Sequence, residues 1–166
     1  GQNNPTATDK AREDAIRAIV EGPAWQQMLQ KFDKWISIQQ IYSPEEVAAI
    51  QNDLNVRVVQ MQPAEVKQFL ADMNARLDVL LSNQAAEARE WVSQFMAVAK
   101  NPRERLEQKR PDVFNMSAAQ IRQELDQFQM QQAARQQSQA AFNRTRELQV
   151  QAAQGIQQSR EQALNQ

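Results

Sequence analysis

The chain has no cysteine and no histidine, only three glycines, and no long apolar run. Without cysteine there are no disulfides and no thiolate metal sites. Without histidine the usual proton carrier near neutral pH is missing, and so is the commonest transition-metal ligand. No stretch approaches the roughly 18 apolar residues that a membrane-spanning helix needs. Neither sign of charge dominates: 19 basic and 20 acidic residues leave a net charge of -1. Nothing in that balance draws the chain to nucleic acid or to an anionic membrane. Gly-rich phosphate loops and the GxSxG turn are absent too.

What remains is a chain of 166 residues, the size of one domain, with few helix breakers and much alanine and glutamine. That composition predicts an all-α fold. Residues 1–7 read as a polar leader, and Gln2-Asn3-Asn4-Pro5 fits a mature start after a removed signal peptide. The expected location is therefore periplasmic or secreted, with the cytoplasm as the alternative.

Thr8 is positioned to cap a first helix, with Asp9 in its first turn and Ile16, Ile19 and Val20 on its apolar face. Gly22-Pro23 ends it. A second helix starts at Pro23 and carries Trp25, Met28, Leu29, Phe32, Trp35 and Ile36 at three-four spacing. This is the densest apolar segment of the chain and the expected anchor of the core. Tyr42-Ser43-Pro44-Glu45-Glu46-Val47 is a helix start with a capping box and a hydrophobic staple. Met61-Gln62-Pro63-Ala64-Glu65-Val66 and Met116-Ser117-Ala118-Ala119-Gln120-Ile121 repeat that grammar.

After Gln62 an apolar stripe runs through Val66, Leu70, Met73, Leu77, Leu80, Ala88, Trp91 and Phe95, keeping its phase across Ser82-Asn83. It predicts one helix over about 63–99. Residues 101–115 form a charged connector with a helical turn between its prolines, and a last helix runs over 117–163. The last helix opens with Ile121, Leu125 and Phe128. It then thins to mostly small residues: Ala134, Ser138, Ala141, Thr145, Leu148, Ala152, Ile156, Ser159 and Ala163. Because an isolated helix is marginal in water, such a Gln/Ala-rich end (129–166) needs a neighbour. The expected architecture is a helical bundle in a single domain over 1–166. It is built on a long antiparallel pair, 63–99 against 117–163, with the short N-terminal helices packed at one end. Its expected core is Trp25, Phe32, Trp35, Leu70, Leu77, Trp91, Phe95, Ile121, Leu125 and Phe128.

The last helix is the longer of the pair, so its far end overhangs unless a partner protein or a second copy covers it. The expected contacts there are Phe142, Leu148, Ala152, Ile156 and Ala163. Candidate chemistry is sparse. Glu45 and Glu46 read as first-turn charges, and Glu87 and Glu90 lack the histidine that a carboxylate di-metal site requires. Lys100, Arg103, Arg105, Lys109 and Arg110 are interleaved with Glu104, Glu107 and Asp112, and read as a solvated connector. No catalytic residue, cofactor, metal, nucleic acid or small-molecule ligand is predicted.

Met116-Ser117-Ala118-Ala119-Gln120-Ile121 resembles the LTxxQ motif of the Spy/CpxP group of periplasmic stress proteins, and Tyr42 to Val47 is a looser echo. Met or Tyr stands where that motif has Leu, Ser where it has Thr, and Glu for one Gln. The resemblance is confined to those two windows. It implies a small all-helical protein that forms a dimeric cradle for unfolded proteins or sensor domains. Three functions are thus expected in turn: a self-associating scaffold or interaction module, a chaperone-like binder of client chains, and a carboxylate metal enzyme.

Overall fold

The computed structural model describes residues 7–109 and 112–165, with the side chains of 106–109 left aside. The leader up to Thr6, and Arg110 and Pro111 of the connector, lie outside the described residues. The chain is all-α. Its helices are α1 (Ala7–Val20), α2 (Pro23–Ile38), α3 (Pro44–Gln60), α4 (Pro63–Leu80), α5 (Asn83–Val98), α6 (Pro102–Lys109) and α7 (Ala118–Leu164). No strand occurs among the described residues. Two parts are distinguished, residues up to Leu125 and residues from Asp126, and the boundary falls within α7.

Capping chemistry sets most helix starts. Ser43 Oγ accepts from the Glu46 amide at 3.2 Å, and the Ser43 amide donates to Glu46 Oε1 at 3.2 Å. Ser117 and Gln120 make the same reciprocal pair at 3.1 and 2.8 Å. At α4 the Gln62 amide donates to Glu65 Oε1 at a longer 3.4 Å. Each box satisfies amides that a bare helix start leaves unpaired.

The expected single helix over 63–99 is two helices. Leu81 leaves helical geometry, and Ser82 turns extended (φ -67°, ψ 162°). Ser82 Oγ then accepts from the Ala85 amide at 3.2 Å and donates to the Val79 carbonyl. Arg89 reaches back from α5 to donate to the Leu80 carbonyl at 2.6 Å. Burial of its guanidinium lowers the Arg89 pKa from its ordinary value. Both sides of the break are therefore satisfied locally, and the break costs little. The left-handed Asn101 (φ 51°) follows α5; asparagine is among the few residues that take this conformation readily.

Within the part up to Leu125, α2 packs on α4, and α1 packs on both. Val66, Met73 and Leu77 of α4 are fully buried beneath Trp25, Met28, Phe32 and Trp35 of α2. Phe114 stands at the centre of an aromatic group, 5.5 Å from Trp35 and about 6 Å from Phe32 and Tyr42. The Val113 amide donates to Tyr42 Oη at 3.3 Å, joining the turn before α3 to the turn before α7. Arg12 of α1 donates to the Val59 and Met61 carbonyls at 3.3 and 2.7 Å, closing the C-terminal end of α3.

Of the expected core, Trp25, Phe32, Trp35, Leu77 and Ile121 are buried, and Leu70 and Leu125 are half-buried against them. Trp91 and Phe95 are not in this core. They are half-buried on α5 and stack on each other, rings 5.4 Å apart and 13° from parallel. The break at Ser82 turns α5 onto a new course, so the later part of the stripe no longer follows the core. Phe128 is half-buried and belongs to the part from Asp126. Along α7, Ile121 is buried and Leu125 half-buried, whereas every residue from 133 to 165 is exposed.

Candidate interaction surface

Residues 126 to 164 are helical throughout, the end of a 47-residue α-helix. At about 1.5 Å per residue, α7 is roughly 70 Å long. Neither proline nor histidine interrupts this segment, and its single glycine, Gly155, is helical. The expected contact residues are all exposed: Phe142 at 62%, Leu148 at 59% and Ile156 at 58%, with Ala152 and Ala163 beside them. Leu148, Ala152, Ile156 and Ala163 share one face by their spacing. Phe142 lies to its side, about 60° round from Thr145.

Two details make that face less polar than its composition suggests. Thr145 Oγ1 donates to the Ala141 carbonyl at 3.0 Å, and Ser159 Oγ donates to the Gly155 carbonyl at 3.0 Å. Hydroxyls bonded back into their own helix leave carbon on the outside. Arg144 and Arg160 stand at the two edges of this face, one turn before Leu148 and one turn after Ile156, whereas Arg146, Glu147 and Glu161 fall further round. Met130, Val150 and Leu164 are further exposed apolar residues of the helix.

The part up to Leu125 offers a separate apolar feature. A cleft of about 220 Å³ opens between α2, α3 and α4, walled by Trp25, Met28, Phe32, Leu54, Phe69 and Met73. Trp25 and Phe32, expected in the core, are buried there and also wall the cleft. It depends on how far α3 stands from α2, which helical periodicity does not specify.

Glu87 and Glu90 are both exposed on α5, and no group of three potential metal ligands occurs among the described residues. No described helix is long and apolar enough to cross a membrane. No protein-family model matches the chain, nor does any curated protein or solved structure.

Proposed function

We propose that the protein is a non-catalytic interaction module that associates with a second copy of itself through the exposed face of α7. The observation that carries this reading is the unbroken run of exposed helix from 133 to 164, bearing Phe142, Leu148 and Ile156 on its surface. A helix of that kind gains little from its own propensity and is stabilised chiefly by packing. Burying the face returns about 25 cal/mol per Å² of apolar surface.

The spacing of the face supports self-pairing. Ala134, Thr145 and Ile156 recur every eleven residues, as do Ala141, Ala152 and Ala163. An eleven-residue period lies close to that of a straight helix and favours a gentle right-handed coil. The pattern also reads nearly alike in both directions about residue 154. Thr145 then stands opposite Ala163 and Ala152 opposite Ile156, with Leu148 opposite the stem of Arg160, one residue beyond Ser159. A two-fold interface requires such self-complementarity, and antiparallel pairing satisfies it.

Sedimentation across a concentration series tests the reading. The expected result is a monomer–dimer equilibrium that Leu148→Asp and Ile156→Asp each shift to monomer; a monomer at every concentration overturns it. Because the chain has no cysteine, orientation is tested by oxidising a mixture of Thr145→Cys and Ala163→Cys chains. Antiparallel pairing links the mixture and leaves each variant alone unlinked.

A second reading is client holding, favoured by the apolar cleft between α2, α3 and α4 and by the resemblance at Ser117 and Gln120. Suppression of aggregation of an unrelated denatured protein at near-stoichiometric ratio tests it, with Leu54→Asp as the cleft control. The same resemblance is also in keeping with the expected periplasmic or secreted location, the cytoplasm being the alternative. Fractionation of cells producing the protein decides between them.

A further inference from the structure

A second cavity, of about 660 Å³, lies where the end of α2, the 39–43 turn, the start of α3, α5 and the start of α6 come together. Its volume falls within the range of about 300–1,000 Å³ usual for small-molecule sites. The wall has two characters. Ile36, Val47 and Met96 are apolar, whereas Gln40, Ser93 and Arg103 are polar. Among the described residues Arg103 supplies the only formal charge of the wall, and no carboxylate lines it.

The two glutamines of the turn differ in a telling way. Gln39 uses both ends of its amide on the turn itself: Nε2 donates to the Tyr42 carbonyl at 3.0 Å, and Oε1 accepts from the Tyr42 amide at 2.7 Å. Gln40 Oε1 is buried and has no hydrogen-bond partner among the described residues. Buried polar atoms are nearly always paired, and those that are not call for an explanation. Gln39 already folds the turn, so the Gln40 amide is not needed for that purpose. Its terminal torsion is soft, so a small rotation presents the oxygen to a donor inside the cavity.

We infer that this cavity binds a compact organic acid that carries an O–H or N–H donor next to its carboxylate and a short apolar tail. Arg103 pairs with the carboxylate, Gln40 Oε1 accepts from the donor, and Ile36, Val47 and Met96 cover the tail. The site is independent of the α7 face, so its failure leaves the self-association reading standing, and the reverse.

Three probes of matched shape test it on the full chain by ¹⁵N amide shifts: 2-hydroxy-4-methylpentanoate, 4-methylpentanoate and 4-methylpentane-1,2-diol. The first has acid and donor, the second lacks the donor, and the third lacks the acid. Saturable shifts at 36–47 and 93–103 are expected with the first. Each of the others should bind about tenfold more weakly or worse, as the loss of one buried hydrogen bond or one charged contact requires. Arg103→Gln should abolish the preference for the acids over the diol. Gln40→Met should remove the preference for the hydroxy acid and raise the melting temperature of the unliganded protein, because an unpaired buried oxygen is gone. Absence of saturable shifts, equal affinity for the three probes, or a Gln40→Met chain that melts no higher than the parent would each overturn the inference.

Discussion

Gly155 shows how little a single residue can be constrained by its surroundings. A Cβ built on it meets nothing within 4 Å, and the residue sits well inside α7. Glycine in a helix interior is about 1 kcal/mol less favourable than alanine. Gly155→Ala is therefore expected to raise helicity near the C-terminal end, read by slower amide hydrogen exchange over 150–160. Gly22 is the contrasting case. A Cβ there stands 3.2 Å from the Ala18 and Ile19 carbonyl oxygens, so alanine would press on backbone at the end of α1. Composition alone treats the two glycines alike; only their neighbours separate them. The same holds for the aromatics. Trp35 is 2% exposed and lies against the rings of Phe32, Tyr42 and Phe114, whereas Trp91, at equally regular spacing, stacks half-exposed on Phe95.

At the scale of the element, the starts of α3 and α7 were legible, because Ser43 with Glu46 and Ser117 with Gln120 satisfy helix amides with no help from elsewhere. The break between α4 and α5 was not. Ser82 carries the same capping chemistry, but the apolar stripe keeps its phase across it, and periodicity reports faces rather than continuity of backbone. Tertiary contact decided the matter. Leaving the helix at Leu81 lets Val79 and Leu80 both be buried and lets Arg89 close the freed carbonyl. Ser82→Ala removes the cap on Ala85 and is expected to lower stability by about 1 kcal/mol. Denaturant titration measures it, and Ser82→Asp, which keeps a capping oxygen, should recover most of the loss.

For the molecule as a whole, stability rests on the apolar layer between α2 and α4. The two described ion pairs, Lys31–Asp78 and Arg57–Asp53, are both well exposed and contribute little. Leu77 is fully buried in that layer. Leu77→Ala is expected to cost about 2–5 kcal/mol, a large share of the 5–15 kcal/mol typical of a domain. Raising salt from low to physiological strength should scarcely move the unfolding midpoint, since the exposed pairs are screened and the layer is not. A midpoint that tracked ionic strength steeply would place the stability in charges instead.

The all-α class, the helix starts and the anchoring role of α2 follow from composition, capping grammar and three-four spacing, which are local properties and so present in the chain itself. Whether the stripe after Gln62 stays one rod, which aromatics reach the core, and where cavities open were decided by packing. Those outcomes depend on groups far apart in sequence, such as Val113 on Tyr42 and Arg12 on Met61. No periodicity of a single segment encodes such a meeting, because its energy exists only once both segments have folded.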